Sequence, residues 1–338
     1  MPAKVDTELC ANTTAPFTRW VVEKGVLHQP FVLIDVGVQG GENKRWQALG
    51  DHLVVHGLDP IQEAIDELRR KAARRPNQRY HCLAAGSVDE ARTFYVNALD
   101  SFSSSFYPRA GRPLATEQPR EVHVRRLDGL CQDGIIPPAD VIKIDVEGTE
   151  KDVFLGARGL MKRALAVETE TNFGISETYP QGHFCTLAQL ALEAHKQVFD
   201  IALNRVSRDS FARELDARGR AGPPFCEVGN PATLNVLFCR DLIREASEPQ
   251  SYATPPPPVE IDELFKYLIV LELYGLNDVA LDTLLQFAQR LEARIDPHEA
   301  VGLLADPYCR LGAGRRRRLA RALTPWWRAW RGLSRFRA

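Results

Sequence analysis

A chain of 338 residues with 44% hydrophobic and 26% charged side chains has the composition of a globular protein, long enough for one large α/β domain and a smaller appendage. A formal net charge of −1 gives no overall attraction to nucleic acid or membrane, and no stretch reaches the ~18 apolar residues of a bilayer-spanning helix. Seven scattered cysteines without a Cys-x-x-Cys pair argue against a disulfide framework or a structural zinc site; with no apolar secretory core at the N-terminus, the expected setting is reduced and cytoplasmic.

The first predicted strand is Phe31–Val36, a continuous apolar run interrupted only by Asp35. It runs into a glycine-rich turn, Gly37-Val38-Gln39-Gly40-Gly41, and Glu42 is expected to open a helix. Glycines permit positive φ and a close approach of backbone to ligand. The second strand, Leu53–Leu58, ends in Asp59-Pro60. A carboxylate at that tip suits the ribose hydroxyls of an adenosine. Asp35, Gly37, Gln39, Gly41, Asp59 and Pro60 are therefore the candidate nucleotide-side residues. The loop lacks a full Gly-x-Gly-x-x-Gly because Glu42 takes its third glycine position. A carboxylate at a helix N-terminus would repel a pyrophosphate but would tolerate a sulfonium. A tight structural turn is the plainer alternative.

Ile61–Arg75 carries Ile61, Ala64, Ile65, Leu68 and Ala72 at helical spacing. Arg79–Ala84 is the third predicted strand; Ala84, Ala85 and the downstream Ser104 join the cofactor-side candidates. Next comes Val141–Val146, in which Lys143 and Asp145 share one face, followed by Glu147 and Glu150. Charged side chains in a strand buried on both faces are costly unless paired or functional. Asp145 falls at the strand's carboxyl end, where open α/β sheets bind ligands. A merely structural Lys143–carboxylate pair is the competing reading. Ala164–Glu168 makes a fifth strand, and Gln197–Leu203 with Thr233–Cys239 makes a hairpin around a polar loop, 205–230. Strands alternating with helices give a doubly wound parallel sheet of the Rossmann-like class I methyltransferase type, finished by an antiparallel edge strand.

Four consecutive prolines, 255–258, read as a stiff linker. The expected organisation is a domain over 1–250 with its core in 30–240, a linker over 251–259, and a helical C-terminal region over 260–338. Predicted helices there are Ile261–Tyr274, Asp278–Arg294 and His298–Leu311. After Asp306 the chain has ten arginines and no acid, with Trp326, Trp327 and Trp330 interleaved. That pattern over 315–337 suits peripheral contact with an anionic membrane or an acidic partner, or a terminal helix with solvated arginines. No nucleic-acid-binding motif is present.

These motifs resemble the FkbM family of methyltransferases. Its Asp-Val-Gly-x-Asn-x-Gly loop is similar to Asp35, Val36, Gly37, Gln39 and Gly41, with glutamine in place of asparagine, and its Glu-Pro to Asp59-Pro60. Ser103-Ser104-Ser105 looks like its serine-rich segment, and Ile142–Glu150 with Gly156-Ala157 like its strongest block. The resemblance covers about residues 30–240. It implies S-adenosylmethionine as cofactor and methyl transfer, usually to the hydroxyl of a saccharide or secondary metabolite. Such transfer rests on alignment and benefits from a general base. The acids at the strand tips, Asp145, Glu147, Glu168 and Glu170, are the candidates, with Glu147 first, Asp145 orienting and Lys143 holding a carboxylate ionised. The same acids could hold a divalent metal, although loop charge is the favoured explanation. A nicotinamide-dependent oxidoreductase and a non-catalytic scaffold are the alternative functions.

Overall fold

The computed structural model describes residues 9–108, 117–173, 182–206, 230–251 and 254–309. Its strands, in chain order, are β1 (Phe31–Val36), β2 (Leu53–Asp59), β3 (Gln78–Cys82), β4 (Ala84–Ala85) and β5 (Glu90–Asn97). They are followed by β6 (Glu117–Arg125), β7 (Val141–Ile144), β8 (Ala166–Asn172), β9 (Gln197–Val206) and β10 (Asn230–Cys239). The main sheet has the order β3-β2-β1-β7-β8-β10-β9. β3, β2, β1, β7 and β8 run parallel; β10 is antiparallel to both β8 and β9. This is the class I methyltransferase arrangement, with the antiparallel strand one place in from the rim.

Alternation along β1 shows why the strand is apolar throughout. Phe31 and Leu33 enter one core, Ile34 and Val36 the other. Helices Leu127–Gln132, Glu150–Gly156, Arg158–Arg163 and Phe184–Glu193 cover the second face. The first face is covered by the Pro16–Glu23 helix, the Lys44–His52 3₁₀ segment and the C-terminal helices, led by Ile261–Leu273.

Two expectations change here. No α-helix follows the glycine loop: Asn43 caps a 3₁₀ segment, broken at Gly50 (φ 53°, ψ −129°). Glu42 therefore precedes the cap of a 3₁₀ segment and sits at no α-helix N-terminus. Its carboxylate instead accepts from Gln78 Nε2 at 2.9 Å and Tyr80 Oη at 3.1 Å, which fastens the loop to β3. A pyrophosphate would meet no α-helix N-terminus at this turn. The second change concerns the proline run, which marks a break in composition but no break in the core. Phe265, Leu268, Ile269 and Leu271, beyond it, share one hydrophobic cluster with Phe31, Leu33, Val55 and Val141. Lys266 Nζ also reaches Asp140 Oδ2 at 2.9 Å, just before β7.

A small second sheet, β4-β6-β5, was not among the predicted strands. Strand β4 is only two residues long, and β5 and β6 mix exposed charged residues with buried apolar ones, so period-two alternation is faint. The basic stretch 315–337 lies outside the described residues. Among those described, no helix is long and apolar enough to cross a membrane.

Candidate active site

The β1 turn is built by backbone contacts that only glycine allows. Gly37 (φ 84°) donates its N–H to Leu58 O at 2.9 Å, and a Cβ on it would lie 1.8 Å from Asp145 O. The tips of β1 and β7 are thereby in near contact. Gly41 closes the turn onto Val38 O at 2.8 Å. The Gln39 amide donates to Ser101 Oγ, and Phe102 lies beside Gly40. At the end of β2, Asp59 Oδ1 accepts from Ile61 N at 2.8 Å. Burial pushes the Asp59 carboxyl up to about 6; the Ile61 N–H opposes this and Asp35 adds to it.

The parallel register sets Asp35, Lys143 and Glu168 side by side across β1, β7 and β8. Neighbours in register point to the same face, so a charged row crosses an otherwise apolar sheet. Lys143 Nζ lies 3.5 Å from Asp35 Oδ1 and 3.3 Å from Asp145 Oδ2. Burial alone would discharge Lys143, but Asp35, Asp145 and Glu168 outweigh it and hold the ammonium above its ordinary range. Burial also lifts Asp35 to about 6 against the pull of Lys143. Glu168 faces elsewhere: it accepts from Tyr274 Oη and lies 3.9 Å from Arg45, and it does not line the cavity. It leaves the set of candidate acids.

The remaining acids converge. Asp145, Glu147 and Glu170 each place a carboxylate oxygen within 4.8 Å of the others. Glu147 has φ 56°, a left-handed conformation uncommon outside glycine. Two bonds hold this turn: Ser105 Oγ donates to Glu147 O at 2.6 Å, and Gly148 N–H donates to Glu150 Oε1 at 3.0 Å. Burial, with Asp145 and Glu147 adding, pushes Glu170 up to about 8; the Thr233 hydroxyl opposes the shift. Burial likewise raises Glu150 to about 7, against the Gly148 N–H.

One cleft, with a cavity volume of about 200 Å³, is lined by Gly37, Gln39, Gly41, Asp59, Pro60, Ala84, Ala85, Ser104, Lys143, Asp145, Glu147 and Glu170. Among the predicted site residues Asp35, paired to Lys143, and Glu168, bonded to Tyr274, stay behind the wall. Sequence reasoning missed Phe94, Ser101, Phe102, Phe106 and Thr149, which also line it. The phenylalanines come from the small sheet and its connection, whose place over the sheet tips no local pattern announces. The histidines are elsewhere: His56 stacks on His81 at 5.3 Å, His123 is exposed, and His183 Nε2 meets Phe173 O.

Residues 35–184 match a family described as the methyltransferase FkbM domain. No curated protein matches the chain. Among solved structures, the chain is similar to a fibrillarin pre-rRNA processing protein from Methanococcus jannaschii (TM-score 0.32, 11% identity, 63% of this chain and 67% of that one). It is also similar to the N-methyltransferase NodS from Bradyrhizobium japonicum (TM-score 0.32, 7% identity, 66% of this chain and 92% of that one). A third is an antibiotic-related methyltransferase (TM-score 0.30, 14% identity, 65% of this chain and 92% of that one).

Proposed function

The chain carries an FkbM methyltransferase domain over residues 35–184, and from that premise we propose that it methylates a hydroxyl oxygen of a saccharide, glycan or other hydroxylated metabolite using S-adenosylmethionine. The observation that supports this reading is the sharing of one cleft by the glycine loop, Asp59 and the three carboxylates.

The residues fit the cofactor. Gly37 leaves open backbone where any side chain would collide with β7, and Asp59 presents a carboxylate beside Pro60 and Ile61 for a ribose diol. Ala84 and Ala85 offer a small, flat wall suited to a purine ring. When bound, S-adenosylmethionine supplies a sulfonium methyl: the acceptor oxygen forms the new C–O bond as the S–C pair returns to sulfur. The carboxylates at the far end of the cleft favour a cationic sulfonium. Glu147 is the residue to take the hydroxyl proton at its carboxylate oxygen, with Asp145 orienting and Lys143 holding Asp145 in place at 3.3 Å. Phe102 and Phe106 help to exclude water.

Glu147→Gln is expected to lower turnover by about 10²- to 10⁴-fold, the usual range for a general base. Affinity for S-adenosylhomocysteine, read by calorimetry, should change less than about twofold, since a base that acts only on the acceptor contributes no ground-state cofactor binding. Unaltered turnover would remove Glu147 from this role. The same calorimetry with NAD separates an oxidoreductase, and binding of neither ligand indicates a scaffold. Labelled-methyl incorporation into host glycans and lipids identifies the acceptor. Peripheral contact of the 315–337 segment with anionic membrane belongs to the same proposal, and co-sedimentation with anionic vesicles, with and without 312–338, decides it.

A further inference from the structure

Three carboxylates meet at one end of the cleft: Asp145 after β7, Glu147 in the turn beyond it, and Glu170 on β8. Their nearest oxygens all lie within 4.8 Å of one another. Carboxylates this close repel one another. Lys143 is the only lysine or arginine among the described residues lining the cleft, and Asp35 and Asp145 already share it.

A second observation comes from the next two residues. Thr149 lines the same cleft and is 1% exposed, yet its hydroxyl has no hydrogen-bond partner among the described residues. Glu150 is 4% exposed, and its Oε2 is likewise unpartnered although Oε1 takes the Gly148 N–H. Buried polar atoms are rarely left unsatisfied, so such a pair beside an acid cluster marks a place for a ligand. All donors here are oxygens, and no histidine or cysteine lines the cleft among the described residues. An all-oxygen, carboxylate-rich set suits magnesium, manganese or calcium and disfavours zinc or copper.

The geometry points to a binding site for a divalent, oxygen-preferring cation held by one oxygen each of Asp145, Glu147 and Glu170, with coordination positions left for an acceptor oxygen. The ligand set stands on its own; the role of the acceptor rests on the methyl-transfer reading. A hydroxyl bound to such a cation loses its proton more readily and is held in line for attack. Glu147 gives one oxygen to the cation and keeps the other for that proton.

The test uses the full chain, stripped by chelation, and manganese(II) as the probe. Electron paramagnetic resonance should show one bound Mn²⁺ per chain, displaced by excess Mg²⁺. Glu170→Gln and Asp145→Asn should each weaken binding by ~10-fold or more, at least the loss usual for outer-shell partners. Circular dichroism verifies that the variants fold. A free-Mn²⁺ spectrum with wild-type protein in excess overturns the proposal whatever the variants do, and so does unchanged affinity in both folded variants. Calorimetry with S-adenosylhomocysteine on the stripped protein reads the cofactor site separately. Cofactor binding without Mn²⁺ binding ends the cation proposal alone; Mn²⁺ binding without cofactor binding ends the methyl-transfer reading alone.

Discussion

Asp59 shows how one buried side chain would couple cofactor binding to pH on the proposed reading. Its folded carboxyl titrates near 6 because burial outweighs the Ile61 N–H. The folded chain therefore holds this proton more tightly than the unfolded chain. The stability it contributes is present below the ordinary carboxylate value and is lost as pH rises through about 6. Ligand binding runs the other way, since only the ionised carboxylate can accept from two ribose hydroxyls. Affinity for S-adenosylhomocysteine should fall as pH drops through about 6, and Asp59→Asn should be weak and nearly flat over that window. Calorimetry between about pH 5 and 8, the span over which the group titrates, reads both. A wild-type profile that stays flat would show that Asp59 does not hold the ribose. Gly37 belongs to the same scale: its positive φ was foreseeable from the glycine, but the 1.8 Å approach to Asp145 O was not.

At the level of elements, the C-terminal Ile261–Leu273 helix does more than fill a face. The Pro16–Glu23 helix has no side-chain cap of its own. Glu272 supplies one from the far end of the chain: Oε1 accepts from Phe17 N at 2.8 Å and Oε2 from Thr18 N at 2.7 Å and Thr18 Oγ at 2.6 Å. An anion at a helix N-terminus satisfies orphan donors and complements the helix dipole. Glu272→Gln should cost about 1–3 kcal/mol, because a buried donor loses its charged acceptor. Urea unfolding measures it; an unshifted midpoint would show that the cap contributes nothing. Tyr274, at the end of the same helix, donates to Glu168 and so abuts the charged row that reaches Lys143. The helix and the strand tips are parts of one packed unit.

For the whole molecule, the shared core argues that the chain cannot be cut at its proline run. Removing residues 255–338 would uncover Phe31, Leu33, Val55 and Val141 on the sheet. Such a fragment is expected to aggregate or to lose near-ultraviolet circular dichroism, since exposed core surface of this kind drives association. A monomeric 1–254 fragment with intact near-ultraviolet signal and normal cofactor affinity would restore the linker as a domain boundary. Polyproline reads as a spacer, while the contacts of the following helix include Phe17, whose N–H donates to Glu272, 255 residues away, and Phe31 and Leu33 in the same core.

The sequence by itself determined the strand series, the glycine turn and the Ile142–Glu150 block, because buried parallel strands must be continuously apolar and their exceptions stand out. Asp35, Lys143, Asp145 and Asp59 were visible for that reason: each is a charge in an apolar run. Only the tertiary structure decided that Glu168 belongs to Tyr274 and Arg45 while Glu170, two residues on, faces the cleft. It also placed the phenylalanines of the small sheet over the site and left Thr149 and Glu150 with unpartnered oxygens. Local pattern fixes which residues are buried in a strand; which distant element covers them depends on packing, and packing sets each acid's partner and hence its chemistry.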